Sequence, residues 1–260
     1  MEIIADTHIH IYPVHDPAEL IRRAARRLRR ASSSPEAVLA LFLAEGRGFD
    51  FFGRLRNGTH GLPGTFRVDS ADEPEAFRVT LEEGEFVWIL AGRQIAAVER
   101  VEILALTLAG GVEDGRPASE TVEAVFARGG VPVLAWSPGK WMFRRAAVVR
   151  SLLRTFGPDR LLLGDTSLRP LGWPAPPAMG EPGRRVVAGS DPLPFAGEEV
   201  RAGCYGIALE GDFDELRPAT SLRRLLVDPA TPLRRIGRRD PPWRTAGRLF
   251  RHHFRKGGAE

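Results

Sequence analysis

Short apolar segments alternate with helical segments between residues 101 and 191, and this alternation constrains the fold more than any other feature of the sequence. Residues 101–108 form a nearly continuous apolar run, as expected for a strand buried on both faces, and further strands are predicted at 131–135 and 161–163. The intervening residues 118–127 and 143–156 are predicted to be helical. Strands joined by helices through short links are typical of a parallel sheet. We therefore predict an α/β fold.

Further strands and helices are predicted on either side of this region. The segments 3–6 and 185–188 are predicted strands, and two more are expected to pair around the turn 82–84, within 66–81 and 85–94. Helices are predicted at 17–30 and at 35–44, the second because Ser34 and Pro35 fit a helix start. The glycine-rich stretch 49–65 is predicted to be a functional loop without a helix.

Polar residues follow the ends of several predicted strands. His8 and His10 end the first strand, Asp165 follows the strand at 161–163, and Asp191 follows the strand at 185–188. In parallel-sheet barrels and in open α/β sheets, functional sites are built at the carboxyl ends of the strands. These four residues are therefore the first candidates for a functional site.

The run Asp6-Thr7-His8-Ile9-His10 carries the strongest chemical signal. Side chains alternate along a strand, so His8 and His10 project from the same face, where two imidazoles can hold one transition metal ion. Asp6 shares that face and could bind the metal or orient an imidazole. The alternative is a coincidental polar strand end, in which an imidazole is satisfied by ordinary hydrogen bonds.

Composition excludes several classes of protein. The single cysteine, Cys204, excludes an internal disulfide and a thiolate metal cluster. No apolar run approaches the ~20 residues of a membrane span, and residues 1–3 lack the basic start of a secretory signal. Because 43% of the residues are hydrophobic, the chain can form a sizeable core. We expect a soluble cytoplasmic protein with no membrane partner.

Positive charge is concentrated in the last part of the chain. Residues 217–260 carry eleven arginines and one lysine against three acids, whereas the whole chain has a net charge of +4. The start of this segment, near Arg217-Pro218, is the predicted boundary between a barrel at 1–216 and a basic helical appendage at 217–260, with helices at 221–227 and 243–254. Binding of nucleic acid by this tail is an alternative to a solvated or internally paired face, which we favour. His252 and His253 are predicted to be unrelated to the site.

Four motifs, taken in order, are similar to those of the PHP (polymerase and histidinol phosphatase) family of metal-dependent phosphoesterases. They are Asp6-Thr7-His8-Ile9-His10, Gly92-Arg93-Gln94-Ile95, residues 130–136 and Gly189-Ser190-Asp191. The wider amidohydrolase superfamily is similar through its histidine pair and its late aspartate. The resemblance covers about residues 1–210. It implies a distorted TIM-like (β/α)7 barrel with two or three metal ions that activate water against a phosphate ester.

Residue by residue, the resemblance implies that His8, His10 and Asp191 are metal ligands. Four other positions depart from the family's pattern: Gln94 replaces a bridging glutamate, Glu102 replaces a histidine, and Trp136 and Leu193 replace two more histidines. The sequence therefore predicts a reduced centre with one or two divalent ions, Zn, Mn or Fe, held by imidazole and carboxylate groups.

Five more residues are candidates for the site. Asp165 or Glu102 is the predicted general base, although Asp165 fits equally well a residue that caps the next turn. Lys140 follows a strand end, where its ammonium group would bind a phosphate or carboxylate; the alternative is a surface lysine. His60 is a candidate extra ligand or acid and His15 is a weaker candidate ligand; we favour an exposed loop position for His60 and a turn position for His15.

These observations predict a metal-dependent hydrolase that acts on a small anionic substrate such as a phosphate ester. The alternative is a degenerate barrel that binds a ligand or partner without turnover, because Gln94, Trp136 and Leu193 replace ligands. A third hypothesis makes the basic tail an adaptor for nucleic acid, which predicts DNA binding with a steep salt dependence.

Overall fold

The computed structural model describes residues 1–59 and 61–256, so the candidate His60 lies outside the described residues. The strands are β1 (Glu2–Ile9), β2 (Val38–Leu43), β3 (Arg67–Ser70), β4 (Ala76–Thr80), β5 (Phe86–Leu90), β6 (Gly92–Ala96), β7 (Glu102–Leu106), β8 (Val131–Ala135), β9 (Leu162–Thr166), β10 (Val186–Gly189), β11 (Tyr205–Glu210) and β12 (Leu233–Gly237). The helices are α1 (Pro17–Ala31), α2 (Phe51–Arg56), α3 (Ala118–Ala127), α4 (Arg144–Thr155), α5 (Pro218–Val227) and α6 (Pro242–Lys256).

The strands form two mixed sheets, which confirms the α/β class. One sheet has the order β12-β11-β1-β2-β5-β4-β3, and the other has the order β10-β9-β8-β7-β6. Pairing is parallel along β1, β2 and β5 and along β8, β9 and β10, whereas the other pairs are antiparallel. Hydrogen bonding among the described strands does not close a barrel, so the TIM-like barrel is not confirmed.

Most of the predicted elements are present within a few residues of their predicted bounds. The predicted turn at 82–84 joins the antiparallel pair β4 and β5, in which Thr80 lies opposite Phe86. Gly84 has a φ of +81°, a conformation that glycine adopts without strain. In the other sheet β7 pairs antiparallel with β8 although α3 lies between them, so the prediction of parallel pairing from helical links is wrong for this pair and is confirmed for β8 and β9, which α4 joins.

The prediction of a helix over residues 35–44 is wrong. Residues Val38–Leu43 form β2, which lies between β1 and β5 in parallel pairing, and all six of its side chains are buried. A strand covered on both faces has a continuous apolar sequence, and a short run of this kind cannot be distinguished from a buried helix by periodicity. Ser34 does accept a hydrogen bond from the Glu36 amide, but this contact forms a turn before the strand.

The predicted loop 49–65 contains a helix that the sequence analysis missed. Asp50 caps α2 by accepting a hydrogen bond from the Gly53 amide at 3.0 Å. The helix buries Phe51, Phe52 and Leu55 beneath the larger sheet. The glycines that suggested a loop lie beyond the end of the helix, so the prediction placed the irregular segment too early.

The two sheets approach one another along β1 and β10. The Asp191 amide, just after β10, donates to the carbonyl of His8 at 2.9 Å. A Cβ atom at Gly189 would lie only 2.3 Å from the His8 Cβ, so the glycine permits this close approach. At the other edge, the Gln94 amide in β6 donates to the Glu45 carbonyl just after β2. These two contacts bring the ends of β1, β6 and β10 together.

The basic tail contributes to the sheets as well as to the helices. β12 pairs antiparallel with β11, another strand that the sequence analysis missed, and β11 pairs in turn with β1. α5 and α6 confirm the two predicted tail helices. The division of the chain into a barrel at 1–216 and a basic helical appendage at 217–260 stays a prediction.

The helices in the described part of the chain are too short or too polar to cross a lipid bilayer.

Candidate metal centre

The ends of two strands, β1 and β10, supply the three residues predicted to bind a metal. His8 lies near the end of β1 and His10 just beyond it, where the register against β2 shifts between Asp6 and Ile9. Asp191 follows β10, which the approach at Gly189 brings next to β1. All three side chains are buried, and the structure confirms that they lie together.

The ligand atoms of the three residues converge on one point. The Nε2 atoms of His8 and His10 are 3.0 Å apart, and Oδ1 of Asp191 lies 3.7 Å and 3.6 Å from them, respectively. Ligands of a tetrahedral zinc ion stand about 2.0–2.1 Å from the metal and therefore about 3.3–3.4 Å from one another. The observed spacing brackets this value, so the donor set fits a single divalent ion.

The electrostatics of His10 favour metal binding. Burial, together with the neighbouring His8 imidazole, lowers the pKa of His10 to about 4, although Asp191 acts in the opposite direction. The ring also hydrogen-bonds the backbone of Ala44. A metal-bound histidine is neutral and is commonly oriented through its second nitrogen by a carbonyl group. His10 therefore has both the protonation state and the support expected of a ligand.

Asp191 is held in an unusual backbone conformation. Its φ is +52°, in the left-handed region that a non-glycine residue rarely adopts. Its Oδ2 accepts a hydrogen bond from the Thr166 hydroxyl at 3.1 Å. Burial acts to raise the pKa of Asp191, but His8, His10 and Arg248 outweigh burial and hold this pKa below its usual value. The carboxylate is therefore charged, and Oδ1 faces the two imidazoles.

Gln94, from β6, extends the cluster. Its Oε1 lies 3.0 Å from Nε2 of His8, so the residue reaches the site although it carries an amide instead of the family's glutamate. An amide oxygen is an uncharged ligand and binds a divalent ion less strongly than a carboxylate does. Gln94 therefore lies in contact with the cluster, but it brings no negative charge to it.

The two replaced histidine positions have become apolar contacts. Trp136 is buried in a hydrophobic cluster with Trp141 and Leu134, and its amide donates to the Gly164 carbonyl. Leu193 packs with Leu168 in a smaller cluster beside the cleft. Neither side chain can bind a metal ion, and among the described residues the group of candidate metal ligands is His8, His10 and Asp191.

A cleft of about 460 Å³ opens over the three-residue group. Residues from both sheets and from α6 line it: His10, Tyr12, Gln94, Glu102, Ser137, Pro138, Lys140, Leu168, Asp191, Leu193, Pro194, Leu249 and His252. Glu102 and Lys140, two of the predicted catalytic residues, form an ion pair there. Burial raises the pKa of Tyr12 above its usual value, with help from Asp191 and Glu102, so its hydroxyl stays protonated. The cleft thus combines acidic, basic and apolar groups.

Asp165 lies away from the lining of this cleft. Its Oδ1 accepts from Arg169 Nε at 2.7 Å, and its Oδ2 accepts from the Tyr205 hydroxyl at 2.8 Å and from Arg235 Nη1 at 3.2 Å. Burial acts to raise the pKa of Asp165, but Arg169 outweighs burial, so the pKa lies below its usual value. It also accepts from the amide of Thr166, the residue that follows it. Both oxygens are engaged in structural contacts.

Asp6 and His15 are bound to the backbone instead of facing the cluster. Asp6 accepts from the amides of His8, Ser190 and Gly203, at 3.1, 3.0 and 2.9 Å, and burial raises its pKa to about 6. His15 has Nε2 3.0 Å from the Leu193 carbonyl. The structure therefore does not bring these two candidates into the three-residue group, although Asp6 positions the backbone on which His8 stands.

Sequence reasoning missed two residues of the tail. His252 lines the cleft, although the sequence predicted it to be unrelated to the site. Arg248 is buried and donates to the carbonyl of Asp191 at 3.2 Å. By residue type alone, nothing in the sequence distinguishes this arginine from the others of a basic helix. The spacing of four residues between Arg248 and His252 does predict that the two side chains lie on one face of α6.

No protein-family profile and no curated protein matches the sequence. Among solved structures, PsfC from Pseudomonas syringae is similar with a TM-score of 0.59 and 18% identity, over 97% of this chain and 99% of PsfC. A lesion-specific endonuclease, EndoQ from Pyrococcus furiosus, is similar with a TM-score of 0.55 and 11% identity, over 91% of this chain and 59% of EndoQ. Endonuclease Q bound to a 27-mer duplex with an abasic lesion at its active site gives a TM-score of 0.50 and 11% identity, over 87% and 56%.

These similarities concern the fold. The chain corresponds to almost all of PsfC, whereas it spans less than two thirds of the endonuclease Q chains. The identities are too low for any residue's role to be carried over. The similarities therefore support the α/β architecture alone, and the chemistry of the His-His-Asp group is argued from this chain's own residues.

Proposed function

We propose that this protein is a metal-dependent hydrolase of phosphate esters whose single divalent ion is held by His8, His10 and Asp191. The observation that carries the proposal is the convergence of two imidazole nitrogens and one carboxylate oxygen within 3.0–3.7 Å, beside a cleft. Zinc, manganese and iron all accept this mixed donor set. Gln94 stands next to His8 and would add an uncharged oxygen ligand.

A cation bound by these residues would polarise a phosphate ester and lower the pKa of a water molecule. Glu102 lines the cleft and would accept the proton at its carboxylate. Lys140, its ion-pair partner, would bind the anionic oxygens of the substrate with its ammonium group. The pair keeps the lysine at the cleft until a substrate anion replaces the carboxylate as its partner. We assign the role of base to Glu102 because both oxygens of Asp165 are engaged elsewhere.

Two independent comparisons support the proposal. The sequence motifs are similar to those of PHP phosphoesterases, and the fold is similar to that of an endonuclease, an enzyme that cleaves phosphate diesters. The distorted barrel implied by the PHP resemblance belongs to the same proposal, since the two sheets meet near β1 and β10 and again near β2 and β6. The fold alone supplies no substrate.

A binding protein without turnover is the second candidate. Gln94, Trp136 and Leu193 favour it, because these side chains occupy the positions where the PHP pattern has further ligands. In that case the three-residue group would hold a metal that anchors a ligand but does not hydrolyse it. Metal content would then be the same as in the hydrolase, and turnover would be missing.

A small anionic substrate is favoured over nucleic acid. Three arginines of the basic tail make internal contacts: Arg235 with Asp165, Arg239 with the Pro170 carbonyl, and Arg248 with Glu198. Because two of these arginines are paired with carboxylates, the tail is less suited to a polyanion than its composition indicates. A duplex with an abasic site, the substrate seen with endonuclease Q, is the appropriate probe for the alternative that this protein acts on nucleic acid.

Metal analysis combined with a phosphatase assay tests the proposal. Protein purified without chelators is assayed for zinc, manganese and iron, and its turnover of p-nitrophenyl phosphate, bis-p-nitrophenyl phosphate and the abasic duplex is measured. We expect about one ion per chain and hydrolysis of a p-nitrophenyl ester that is lost with chelator and restored by the metal. Metal without turnover of any probe would support the binding protein instead.

The double variant His8→Ala/His10→Ala identifies the site that holds the metal. Its matched control is His253→Ala, which removes an exposed imidazole of α6. The double variant should lose both metal and turnover, and the control should retain both. Equal metal content in the two proteins would exclude the histidine pair as ligands and contradict the proposal.

A further inference from the structure

α6 packs with an inverted distribution of side chains. Thr245 and Arg248 are buried against the protein, whereas Trp243 is 76% exposed and Phe250 is 65% exposed. An amphipathic helix normally turns its apolar residues inward. Burying an arginine costs desolvation that only well-placed partners offset. The specific polar contacts of the inward face of α6 are those of Arg248.

Arg248 has partners on three sides. Its Nη2 donates to Oε2 of Glu198 at 2.6 Å and to the Asp191 carbonyl at 3.2 Å. Its Nη1 donates to the Ser167 hydroxyl at 3.1 Å and to Oδ2 of Asp240 at 3.3 Å. The guanidinium thus joins α6 to the segments that follow β9 and β10. One of these contacts is to the backbone of a residue in the candidate metal centre.

The backbone contact has a mechanical consequence for Asp191. A left-handed conformation is unfavourable for a non-glycine residue, so it persists only when the surroundings hold it. Asp191 is held at its amide by the His8 carbonyl, at its carbonyl by Arg248, and at Oδ2 by Thr166. These three contacts aim Oδ1 at the imidazoles. Loss of the arginine would release the carbonyl and allow the residue to relax.

One turn further along the same face of α6, His252 forms part of the cleft wall, as does Leu249, the residue after Arg248. His252 lines this cleft together with Lys140 and Glu102. The spacing of four residues between Arg248 and His252 places both on one side of the helix. One helix therefore supports the metal centre from behind and lines the substrate cleft.

We propose that α6 is a functional wall of the site, in which Arg248 is a positioning residue for Asp191 and His252 is a hydrogen-bond donor to the anionic group of the substrate. This inference rests on the proposed function, because it requires a metal at Asp191. It gives the basic tail a role within the site itself. Arg248 acts through Asp191, whereas His252 contacts the substrate directly.

Metal affinity tests the role of Arg248. The dissociation constants of Co²⁺ and Zn²⁺ are measured for wild type, Arg248→Met and the matched control Arg244→Met, whose arginine lies on the same helix with its side chain 61% exposed. We expect a 10–100-fold weaker metal affinity for Arg248→Met, the range found when a group that orients a ligand is lost, and no change for the control. Thermal unfolding of the metal-free proteins is recorded in parallel.

A lower melting temperature with unchanged metal affinity would show that Arg248 only anchors the helix and would overturn its positioning role. If Arg248→Met does not fold, Thr166→Val and Arg248→Lys give the same readout, because each loosens one anchor of Asp191 while retaining the others. Unchanged metal affinity in both variants would also overturn the inference. A wild type that binds no metal would instead contradict the proposed function.

Phosphate affinity tests the role of His252. Inorganic phosphate is titrated into metal-loaded wild type, His252→Ala and the control His253→Ala. We expect His252→Ala to bind phosphate about tenfold more weakly, with unchanged metal affinity, since one hydrogen bond to a charged group is worth about 1.5 kcal/mol. Equal phosphate affinity in the three proteins would overturn the assignment of His252 and leave that of Arg248 intact.

Discussion

Asp165 and Asp191 stand at the ends of neighbouring parallel strands, and both are buried, yet their surroundings give them different chemistry. Asp165 accepts hydrogen bonds from Arg169, Tyr205 and Arg235. Asp191 instead directs Oδ1 toward the imidazoles of His8 and His10 at 3.7 Å and 3.6 Å. In sequence the two residues give the same signal, a polar residue where an apolar strand ends.

The difference lies in the partners that neutralise each carboxylate. An arginine side chain always carries its charge, so the carboxylate of Asp165 is compensated before any ligand arrives. An imidazole can be neutral and can offer a lone pair, so Asp191 and its two neighbours together form a set of metal donors. A buried carboxylate surrounded by arginines stabilises the fold, and one facing imidazoles can bind a cation.

The largest expected effect comes from removing the imidazoles. In His8→Ala/His10→Ala, Asp191 loses both donor partners, so we expect metal affinity to fall by more than the 10–100-fold that loss of a supporting group costs. Isothermal titration with Zn²⁺ measures this change. Retention of wild-type affinity would mean that the two carboxylate environments do not differ as described.

The second prediction compares the two carboxylates directly. Asp165→Asn leaves Arg169 buried without its charged partner, which typically costs about 3–5 kcal/mol of unfolding free energy. The urea concentration at the unfolding midpoint of the metal-free protein should therefore fall strongly. Asp191→Asn should shift unfolding less, because Arg248 keeps Glu198 and Asp240.

Zinc titration of the same two variants should give the opposite order. Asp191→Asn loses a charged ligand and should bind Zn²⁺ at least tenfold more weakly, whereas Asp165→Asn, if folded, should bind it nearly as wild type does. If Asp165→Asn lost zinc affinity and Asp191→Asn did not, the assignment of the two carboxylates would have to be exchanged.

The sequence predicted the histidine pair and its aspartate because their signal is local. Alternation along a strand places His8 and His10 on one face, and the family resemblance supplied Asp191. The environment of Asp165 could not be read in the same way. Only one partner, Arg169, is near it in sequence, whereas Tyr205 and Arg235 are brought to it by β11 and β12. Both of these strands were missed.

The missed elements have a common physical reason. β2 has a continuous apolar sequence that also suits a buried helix, and β12 has the polar sequence Leu-Arg-Arg-Ile-Gly at the edge of its sheet. The packing of α6 could not be predicted for a related reason. Its buried side chains include Thr245 and Arg248, and its exposed ones include Trp243 and Phe250, so hydrophobic periodicity alone would predict that the opposite face is buried.

The third prediction adds charge to the weaker part of the metal centre. Gln94→Glu places a carboxylate 3.0 Å from the His8 ring, where the amide oxygen now stands. We expect metal affinity to rise about tenfold, or about 1.4 kcal/mol, because an anionic oxygen replaces a neutral one. Gln94→Met is the matched control, of similar length without an oxygen, and should not raise the affinity. A weaker affinity in Gln94→Glu would place the amide outside the coordination sphere.

The last prediction concerns the hydroxyl that donates to Asp165. Tyr205→Phe removes one hydrogen bond to a charged acceptor and should cost about 1.5–3 kcal/mol of unfolding free energy at neutral pH. Tyr12→Phe removes the chain's other tyrosine hydroxyl, from the cleft, and should cost less. Urea unfolding of the two variants measures the difference, and an equal cost would indicate that the Asp165 contacts add no special stability.

The cost of Tyr205→Phe should depend on pH with a defined sign. The pKa of Asp165 is lowered in the folded protein. The stability that its contacts provide is therefore complete above the unfolded pKa of about 3.9 and is lost as the pH falls through the lower folded value. Since the tyrosine stabilises the ionised carboxylate, the difference between wild type and Tyr205→Phe should be constant near neutral pH and should shrink as Asp165 becomes protonated in the folded proteins, below its unfolded pKa. A difference that persisted undiminished after Asp165 is protonated would show that Tyr205 acts through packing and not through the charge of Asp165.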